Sequence, residues 1–270
     1  MITFVTTPTH DWLERHVRSC RERFLVACPY VGNYLTSLSR RLPENVTRVL
    51  VTRTDLRDFA KGASDIDAVC ENARLGARVM SVSRLHAKVY VVDGHSALVT
   101  SANATHSGMH RNLECGIAIA DRRGVVQLAR LLLSGFGAGD CPQEWTLGDL
   151  EKLRNPVRAL RELLPPSATT TLPDLEEHPD LVLSNERWLG LCAGFPGWLR
   201  LTLEGVVQQV RDDFDIRSFY RTCLPTVARQ YPRNRFPRQK LRRQLQRLRD
   251  IGMIEFLGDG RYRRTIKTQA

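Results

Sequence analysis

The sequence lacks several features that mark common classes of protein. Its seven cysteines are scattered singly and form no CxxC pair, which argues against a disulfide framework and against a zinc site. No apolar run is long enough to cross a bilayer, and the first residues carry no basic segment followed by an apolar one. We therefore expect a cytoplasmic protein without membrane association. At 270 residues, 42% hydrophobic and 26% charged, the chain suits one large or two modest globular domains.

Positive charge is concentrated at the C-terminal end of the chain. The net charge is +11, and residues 231–270 contain twelve Lys and Arg against three Asp and Glu, which gives 12 − 3 = +9. Clustered positive charge is typical of a protein that binds a polyanion. The sequence therefore favours a nucleic-acid partner.

Six polar residues between positions 86 and 114 carry the strongest chemical signal. They lie in the segments HAKVYVVD, TSAN and NLE. Together they supply what cleavage of a phosphodiester needs without a metal, namely a nucleophile, positive charge around the phosphate and hydrogen-bond donors. The six residues are His86, Lys88, Asp93, Ser101, Asn103 and Glu114.

Each of these side chains has a chemical role that its type allows. An imidazole such as His86 can attack phosphorus because it is neutral near working pH. Lys88 supplies a mobile point charge for the phosphoryl oxygens, and Asn103 donates hydrogen bonds to them. Ser101 supports the phosphate or the histidine, and Glu114 holds the second ring nitrogen of His86 and fixes its tautomer.

Alternation in HAKVYVVD predicts a strand, which would place His86, Lys88 and Tyr90 on one face and Val89 and Val91 on the other. The runs 97–100 and 114–120 predict two further strands. The site residues are thus expected at strand ends and in the loops that follow them.

These residues resemble the signature of the phospholipase D superfamily, which is HxK, four residues, D, six residues and then GSxN. His86, Lys88, Asp93, Ser101 and Asn103 match it in register, and Thr100 stands where the family usually has glycine. Glu114 lies where the bacterial nucleases of the family carry the acid that orients the histidine. The resemblance implies an α-β-α sandwich, no metal or other cofactor, and a phospho-histidine intermediate. It also implies that Asp93 supports the loop and does not react.

The mechanism implied by this family uses two histidines, yet the chain has one HxK. None of the other histidines, at positions 10, 16, 95, 106, 110 and 178, is followed two residues later by lysine. A twofold homodimer would bring two copies of His86 to one shared site, as in the small nucleases of the family. Pairing with a different chain that carries its own motif is the alternative.

The C-terminal basic region has the pattern of a helix followed by a hairpin. PRQKLRRQLQRLRDIG places four apolar residues at helical spacing, and MIEFLGDGRYRR predicts two strands joined at Asp259-Gly260. Two earlier helices are expected in WLRLTLEGVVQQV and IRSFYRTCLPTVARQY, where Pro225 should bend or interrupt the second. Residues 197–264 resemble the winged-helix module at the C-termini of DpnI-type restriction enzymes, through FDIRSFY, YPRN, KLRRQLQRLRDIGMIEF and GRYR.

A winged helix would place the helix at about residues 237–250 in the major groove of double-stranded DNA. There Arg can bind guanine and Gln can bind adenine, whereas arginines of the wing contact phosphates or the minor groove. We expect at least half of the basic residues to contact only the DNA backbone. The candidate DNA-binding residues are Gln239, Lys240, Arg242, Arg243, Gln246, Arg249, Arg261 and Arg263.

The fold class expected from these patterns is α/β, a phospholipase D-like α-β-α sandwich with a C-terminal winged-helix domain. Buried strands are predicted in FLVACPY, RVLVTR and CGIAIAD, with helices between them. We predict a nuclease domain over residues 1–135, a connecting region over 136–196 that contains a Pro-, Ser- and Thr-rich linker at 165–173, and a winged-helix domain over 197–270.

The function expected from the sequence is a metal-independent, site-specific DNA endonuclease of the restriction or phage-defence type, with a possible cognate methyltransferase. Two alternatives stay open. One is a phospholipase-like phosphodiesterase, because phospholipases share the motif. The other is a DNA-binding regulator with an inactive nuclease half.

Overall fold

The computed structural model describes residues 2–135, 141–164 and 181–268. The strands of this part are β1 (Ile2–Thr6), β2 (Arg23–Ala27), β3 (Thr47–Thr52), β4 (Arg78–Ser81), β5 (Val89–Val92), β6 (Ser96–Thr100), β7 (Cys115–Ile119), β8 (Gln143–Trp145), β9 (Val182–Leu183), β10 (Asp213–Asp215), β11 (Ile254–Gly258), β12 (Arg261–Arg264) and β13 (Lys267–Thr268). Its helices are α1 (His10–Ser19), α2 (Asn33–Ser39), α3 (Leu56–Lys61), α4 (Ile66–Arg74), α5 (His106–His110), α6 (Arg122–Ser134), α7 (Leu147–Glu151), α8 (Arg154–Leu163), α9 (Asn185–Ala193), α10 (Gly197–Val207), α11 (Ile216–Gln230) and α12 (Pro237–Asp250).

The chain divides into two compact units that are not continuous in sequence. The first unit contains Met1–Arg53 and Ala63–Glu151, and the second contains Thr54–Gly62 and Lys152–Ala270. The short segment that holds α3 therefore belongs to the C-terminal unit, although its residues come from within the N-terminal half. No pattern in the sequence predicted that residues 54–62 belong to the C-terminal unit.

A mixed sheet of eight described strands forms the centre of the first unit, in the order β1-β7-β6-β5-β2-β3-β4-β8. β2, β3 and β4 pair in parallel, and the remaining pairs are antiparallel. The strands predicted in FLVACPY, RVLVTR and CGIAIAD correspond to β2, β3 and β7. The edge strands β1 and β8 had no clear sequence pattern.

Both faces of this sheet are covered, which makes the unit a three-layer sandwich. Leu25, Val51 and Val91 pack in one cluster with the apolar face of α6, including Val125 and Leu132. Since neighbouring residues in a strand point to opposite faces, Phe24, Val26, Leu50 and Tyr90 face the other way, and they are also buried. The predicted α/β class with helices on both faces of the sheet is confirmed.

The second unit contains the predicted helix and hairpin at its C-terminal end. α12 spans Pro237–Asp250, and β11 and β12 are joined by a turn in which Asp259 has a φ of 49°. α10 packs against α11 and α12, and β10 completes a three-stranded sheet in the order β10-β12-β11. Pro225 was predicted to bend or interrupt its helix, and it does not interrupt it, since α11 continues from Ile216 to Gln230.

Within the second unit, specific hydrogen bonds join residues 54–62 to the later part of the chain. The N–H of Leu56 donates to the carbonyl of Ile251 at 3.0 Å, and the hydroxyl of Thr54 donates to the carbonyl of Asp250 at 3.2 Å. α3 also packs against α8, where Arg161 donates to the carbonyls of Ala60 and Phe59 at 3.2 and 3.1 Å.

The connecting region contains ordered elements where it is described, namely β8, α7, α8, β9 and α9. The Pro-, Ser- and Thr-rich linker predicted at 165–173 lies outside the described residues. The predicted boundaries at 135 and 196 therefore stay predictions.

Candidate functional site

Antiparallel pairing brings five of the six candidate residues to one edge of the sheet. β7, β6 and β5 are neighbours, so the start of β5, the end of β6 and the start of β7 lie at the same edge. His86 and Lys88 precede β5, Ser101 and Asn103 follow β6, and Glu114 precedes β7. The sixth residue, Asp93, follows β5 and therefore lies at the opposite edge.

β5 begins later than the alternation of HAKVYVVD predicts. Its ladder starts at Val89, which pairs with Ala27 on one side and Val99 on the other. His86 and Lys88 lie in the irregular segment before it, although the N–H of Thr100 still donates to the carbonyl of Lys88 at 3.1 Å.

The histidine and the lysine contact each other directly. Lys88 Nζ lies 3.2 Å from His86 Nε2 and donates to the carbonyl of His86 at 3.1 Å. An ammonium group can only donate, so a hydrogen bond to Nε2 requires that this nitrogen carry no proton. His86 is exposed whereas Lys88 is only 7% exposed. The electron pair of Nε2 accepts this hydrogen bond, so attack on a phosphate requires that Lys88 move from Nε2 to the phosphoryl oxygens.

Ser101 and Glu114 form a pair at the start of β7. The hydroxyl of Ser101 donates to the carboxylate of Glu114 and accepts from the N–H of Cys115 at 3.1 Å. The N–H of Glu114 donates to the hydroxyl of Thr7 at 2.7 Å, so the segment after β1 also fixes this acid. The sequence did not indicate a role for Thr7.

Asn103 is 6% exposed and its amide is oriented by a buried cysteine at the end of β2. The sulfur of Cys28 lies 3.4 Å from Asn103 Oδ1 and 3.2 Å from the carbonyl of Tyr30, two acceptors that share its one proton, and it accepts from the N–H of Ala104 at 3.1 Å. Burial raises the pKa of Cys28 to about 11, so it stays a thiol at neutral pH. The side-chain oxygen of Asn103 thus faces Cys28. No sequence pattern connected Cys28, 75 residues earlier, with this site.

Asp93 binds the backbone at the other edge of the sheet. Its carboxylate accepts from the N–H groups of Arg21, Glu22 and Arg23 at 2.8–2.9 Å and from the thiol of Cys20 at 3.2 Å. Burial alone would raise the pKa of Asp93, but the three backbone hydrogen bonds outweigh it and hold the pKa below its usual value. These contacts favour the structural role predicted for this residue.

Two glycines allow close backbone packing around the site. A methyl group at Gly108 would lie 2.6 Å from the carbonyl oxygen of Asn103, and one at Gly116 would lie 2.7 Å from Cβ of Thr100. Gly116 thus leaves room for the side chain of Thr100. Thr100 is the residue that stands at the glycine position of the signature which the sequence resembles. The hydroxyl of Thr100 accepts from the N–H of Ala102 at 3.2 Å and supports the turn.

The predicted DNA-binding residues of the second unit fall into two groups. One group is exposed on α12 and on the hairpin, and its members are Gln239, Arg242, Arg243, Gln246 and Arg261. Lys240 is half-buried beside them. In the other group, Arg249 donates to Asp250 at 3.0 Å, and Arg263 forms a bidentate pair with Asp213 at 2.6 and 3.0 Å.

Within the described ranges, no helix is long and apolar enough to span a membrane. The same residues contain no cluster of three His, Cys, Asp or Glu side chains arranged to hold a metal ion.

Comparison with known families assigns both regions. Residues 14–134 match the model described as "Cardiolipin synthase, PLD-like domain", and residues 196–264 match the one described as "Dam-replacing HTH domain". The chain therefore contains a phospholipase D-like domain and a DpnI-type C-terminal winged helix. Together the two matches support a phosphodiesterase-type enzyme with a DNA-binding domain.

Three solved structures illustrate the similarity to known proteins. Nuc of Salmonella typhimurium, a phospholipase D family member, is 16% identical with a TM-score of 0.43, over 54% of this chain and 98% of its own. NucT of Helicobacter pylori is 14% identical with a TM-score of 0.39, over 49% and 92%. Phosphatidylserine synthase of Haemophilus influenzae is 13% identical with a TM-score of 0.45, over 85% and 59%. No curated protein sequence matches the chain significantly.

Proposed function

Because the chain joins a phospholipase D-like domain to a winged helix of the Dam-replacing type, we propose that it is a metal-independent, site-specific DNA endonuclease of the restriction or phage-defence type. The observation that carries this proposal is the His86–Lys88 contact at one sheet edge with Ser101, Asn103 and Glu114. A DNA-binding domain in the same chain favours DNA as the phosphodiester.

The first step is attack by His86 Nε2 on phosphorus, which forms a phospho-histidine and releases one ester oxygen. Lys88 and the NH₂ group of Asn103 bind the phosphoryl oxygens as negative charge increases on them. The leaving oxygen takes its proton from the second histidine of the site. Water then attacks the phospho-histidine, with the same second histidine as base, and frees His86.

Glu114 and Ser101 act on this reaction indirectly. The carboxylate is assigned to the second ring nitrogen of His86, which it would hold in the tautomer whose Nε2 carries no proton. Ser101 donates to that carboxylate and fixes its position. Replacement of either residue should therefore lower the turnover number more than the affinity for DNA.

The second histidine is assigned to another copy of the chain. One HxK motif per chain supplies half of the two-histidine mechanism, and a twofold axis would bring two copies of His86 together. Leu113 supports a contact at this edge, since it is 97% exposed and immediately precedes Glu114. An exposed leucine beside polar site residues is suited to burial against a second copy.

Cleavage in excess EDTA tests the proposal directly. The wild-type protein should cut mixed plasmid and phage DNA into discrete fragments, and His86→Ala should cut nothing while it binds DNA as before. His95→Ala is the matched control, because His95 is exposed but has no lysine two residues later. A smear would show cutting without site specificity. No cutting of plain or methylated DNA would favour the alternative of a DNA-binding regulator with an inactive nuclease half.

The shared site has its own test by subunit mixing. If one site needs His86 from both subunits, activity should fall as the square of the wild-type fraction when His86→Ala chains are exchanged in. Leu113→Glu should shift sedimentation toward monomer and reduce cutting, whereas Leu131→Glu, on the exposed side of α6, should do neither. An active monomer would exclude the shared site.

The phospholipase-like alternative has one observation in its favour, the cardiolipin synthase description of the matching domain model. Release of a headgroup from phospholipid vesicles, abolished by His86→Ala, would support it.

A further inference from the structure

An exposed phenylalanine stands at the entrance to α12 in the second unit. Phe236 immediately precedes this helix and is 64% exposed. Its exposed neighbours Arg233, Arg235 and Arg238 are all cationic, and residues 231–249 contain no Asp or Glu. Exposure of a large ring costs hydration free energy, and here the cations around it match a polyanion. Phe236 was not among the DNA-binding residues predicted from the sequence.

The segment that carries Phe236 is fixed by hydrogen bonds. The N–H of Phe236 donates to Asn234 Oδ1 at 2.9 Å, and the N–H of Asn234 donates to the carbonyl of Tyr231 at 3.0 Å. The ring of Tyr231 stacks on Trp198 with centroids 4.4 Å apart. The hydroxyl of Tyr220 donates to the carbonyl of Arg238 at 3.2 Å. The backbone that carries the phenylalanine is therefore fixed and loses little conformational entropy on binding.

The chemistry of the major groove gives this ring a specific contact. In helix-turn-helix proteins the second helix lies in the major groove, and its first residues face the base edges. The apolar group displayed there is a methyl group, at C5 of thymine, and phenylalanine is one of the side chains that contact it. The C5 methyl of 5-methylcytosine offers the same surface.

We propose that Phe236 recognises a C5 methyl group of a pyrimidine in the major groove and so determines part of the sequence specificity. This inference rests on the proposed binding of DNA. The side chain of Phe236 would distinguish thymine from the other bases at one position. The arginines around Phe236 then hold the adjacent phosphates and carry no sequence information.

Full-length protein with His86→Ala tests the inference without cleavage. Duplexes are selected from a random pool, and each thymine of the best duplex is replaced by deoxyuridine, which removes only the C5 methyl. At one position we expect affinity to fall roughly fourfold, the effect of burying one methyl group. When Phe236→Ala is added, affinity for the thymine duplex should fall and that position should no longer distinguish thymine from uracil.

Phe256→Ala is the matched control, since Phe256 is an exposed phenylalanine of the same unit on β11. It should leave the uracil effect unchanged. The same duplexes with 5-methylcytosine against cytosine identify the second source of the methyl group. The replacements by uracil and by cytosine could change the affinity of the Phe236→Ala, His86→Ala protein as much as that of the His86→Ala protein. In that case the inference is wrong, although DNA binding stands. If no duplex is selected, both the inference and the proposed function are wrong.

Discussion

At the scale of single residues, Gly108 is the most restrictive position near the candidate site. A methyl group there would lie 2.6 Å from the carbonyl oxygen and 2.8 Å from the nitrogen of Asn103. Gly108→Ala should therefore displace Asn103, destabilise the protein by about 1–3 kcal/mol and strongly reduce cutting. Thermal unfolding and a cleavage assay measure both effects.

Gly148 provides the control for this substitution, because it is also a helical glycine of the first unit and a methyl group there would meet nothing within 4 Å. Gly148→Ala should be neutral or stabilise the protein by up to about 1 kcal/mol. Full activity of Gly108→Ala would show that Asn103 tolerates displacement.

The hydrogen bonds of Asp93 predict a pH-dependent contribution to stability. Since its pKa is lowered in the folded protein, the stabilisation is complete above the unfolded value near 4 and is lost as pH falls through the folded pKa. Asp93→Asn should cost about 1–3 kcal/mol of unfolding free energy at pH 7 and progressively less below about pH 4.

Denaturant titration at several pH values measures this difference. Glu44→Gln is the control, because Glu44 is exposed and its substitution should change little at any pH. A cost for Asp93→Asn that stays constant down to pH 2 would contradict the ionic origin of the effect.

The grouping of the five candidate site residues was predictable from the sequence, but their supporting contacts were not. His86, Lys88, Ser101, Asn103 and Glu114 were found by type and spacing. Their supports come from distant segments, Cys28 from β2 and Thr7 from the loop after β1. A cysteine or threonine in isolation carries no signal, because its role arises only when the sheet brings the strands together.

At the scale of elements, α12 carries two kinds of arginine. Some are exposed and are candidates for DNA binding, and others pair with residues of the fold. Arg243 is exposed, whereas Arg249 pairs with Asp250, whose pKa is raised by burial in spite of this arginine. Arg243→Ala should weaken DNA binding and reduce the salt dependence of log K by about one unit. Arg249→Ala should instead cost about 1–3 kcal/mol of stability.

Binding titrations at several salt concentrations, paired with thermal unfolding of each variant, separate the two effects. If Arg249→Ala reduced the salt slope without any loss of stability, the assignment of Arg249 to the fold would be wrong.

Elements with strong periodicity were predicted well, and short or irregular ones were not. The helix at 237–250 and the hairpin turn at Asp259 agree with the structure because apolar spacing and a turn dipeptide specify them locally. β5 began three residues later than expected, since the length of a strand depends on its partners. Alternation within one segment contains no information about where a neighbouring strand turns away.

At the scale of the whole molecule, α3 belongs to the second unit, so removal of the C-terminal residues also affects contacts of α3. Removal of residues 197–270 takes away the carbonyls of Asp250 and Ile251 to which Thr54 and Leu56 donate. The truncated chain should therefore lose stability as well as specificity, with at best weak unspecific cutting. Combined replacement of Arg242, Arg243 and Gln246 by alanine should remove specificity and leave the unfolding temperature nearly unchanged.

Fragment patterns and unfolding temperatures of the two variants are the measurements. Site-specific cutting by the truncated chain would move recognition to the N-terminal half. A large loss of stability in the triple variant would show that these side chains support the fold.

The position of α3 also limits how such a protein can acquire a new target sequence. A hybrid gene with a single crossover near residue 196 would join a foreign recognition domain to a chain that still carries residues 54–62. The helix from this segment would then face a surface with which it did not evolve. Exchange of specificity between relatives should therefore require a second crossover around α3, or proceed by point substitutions on the exposed face of α12.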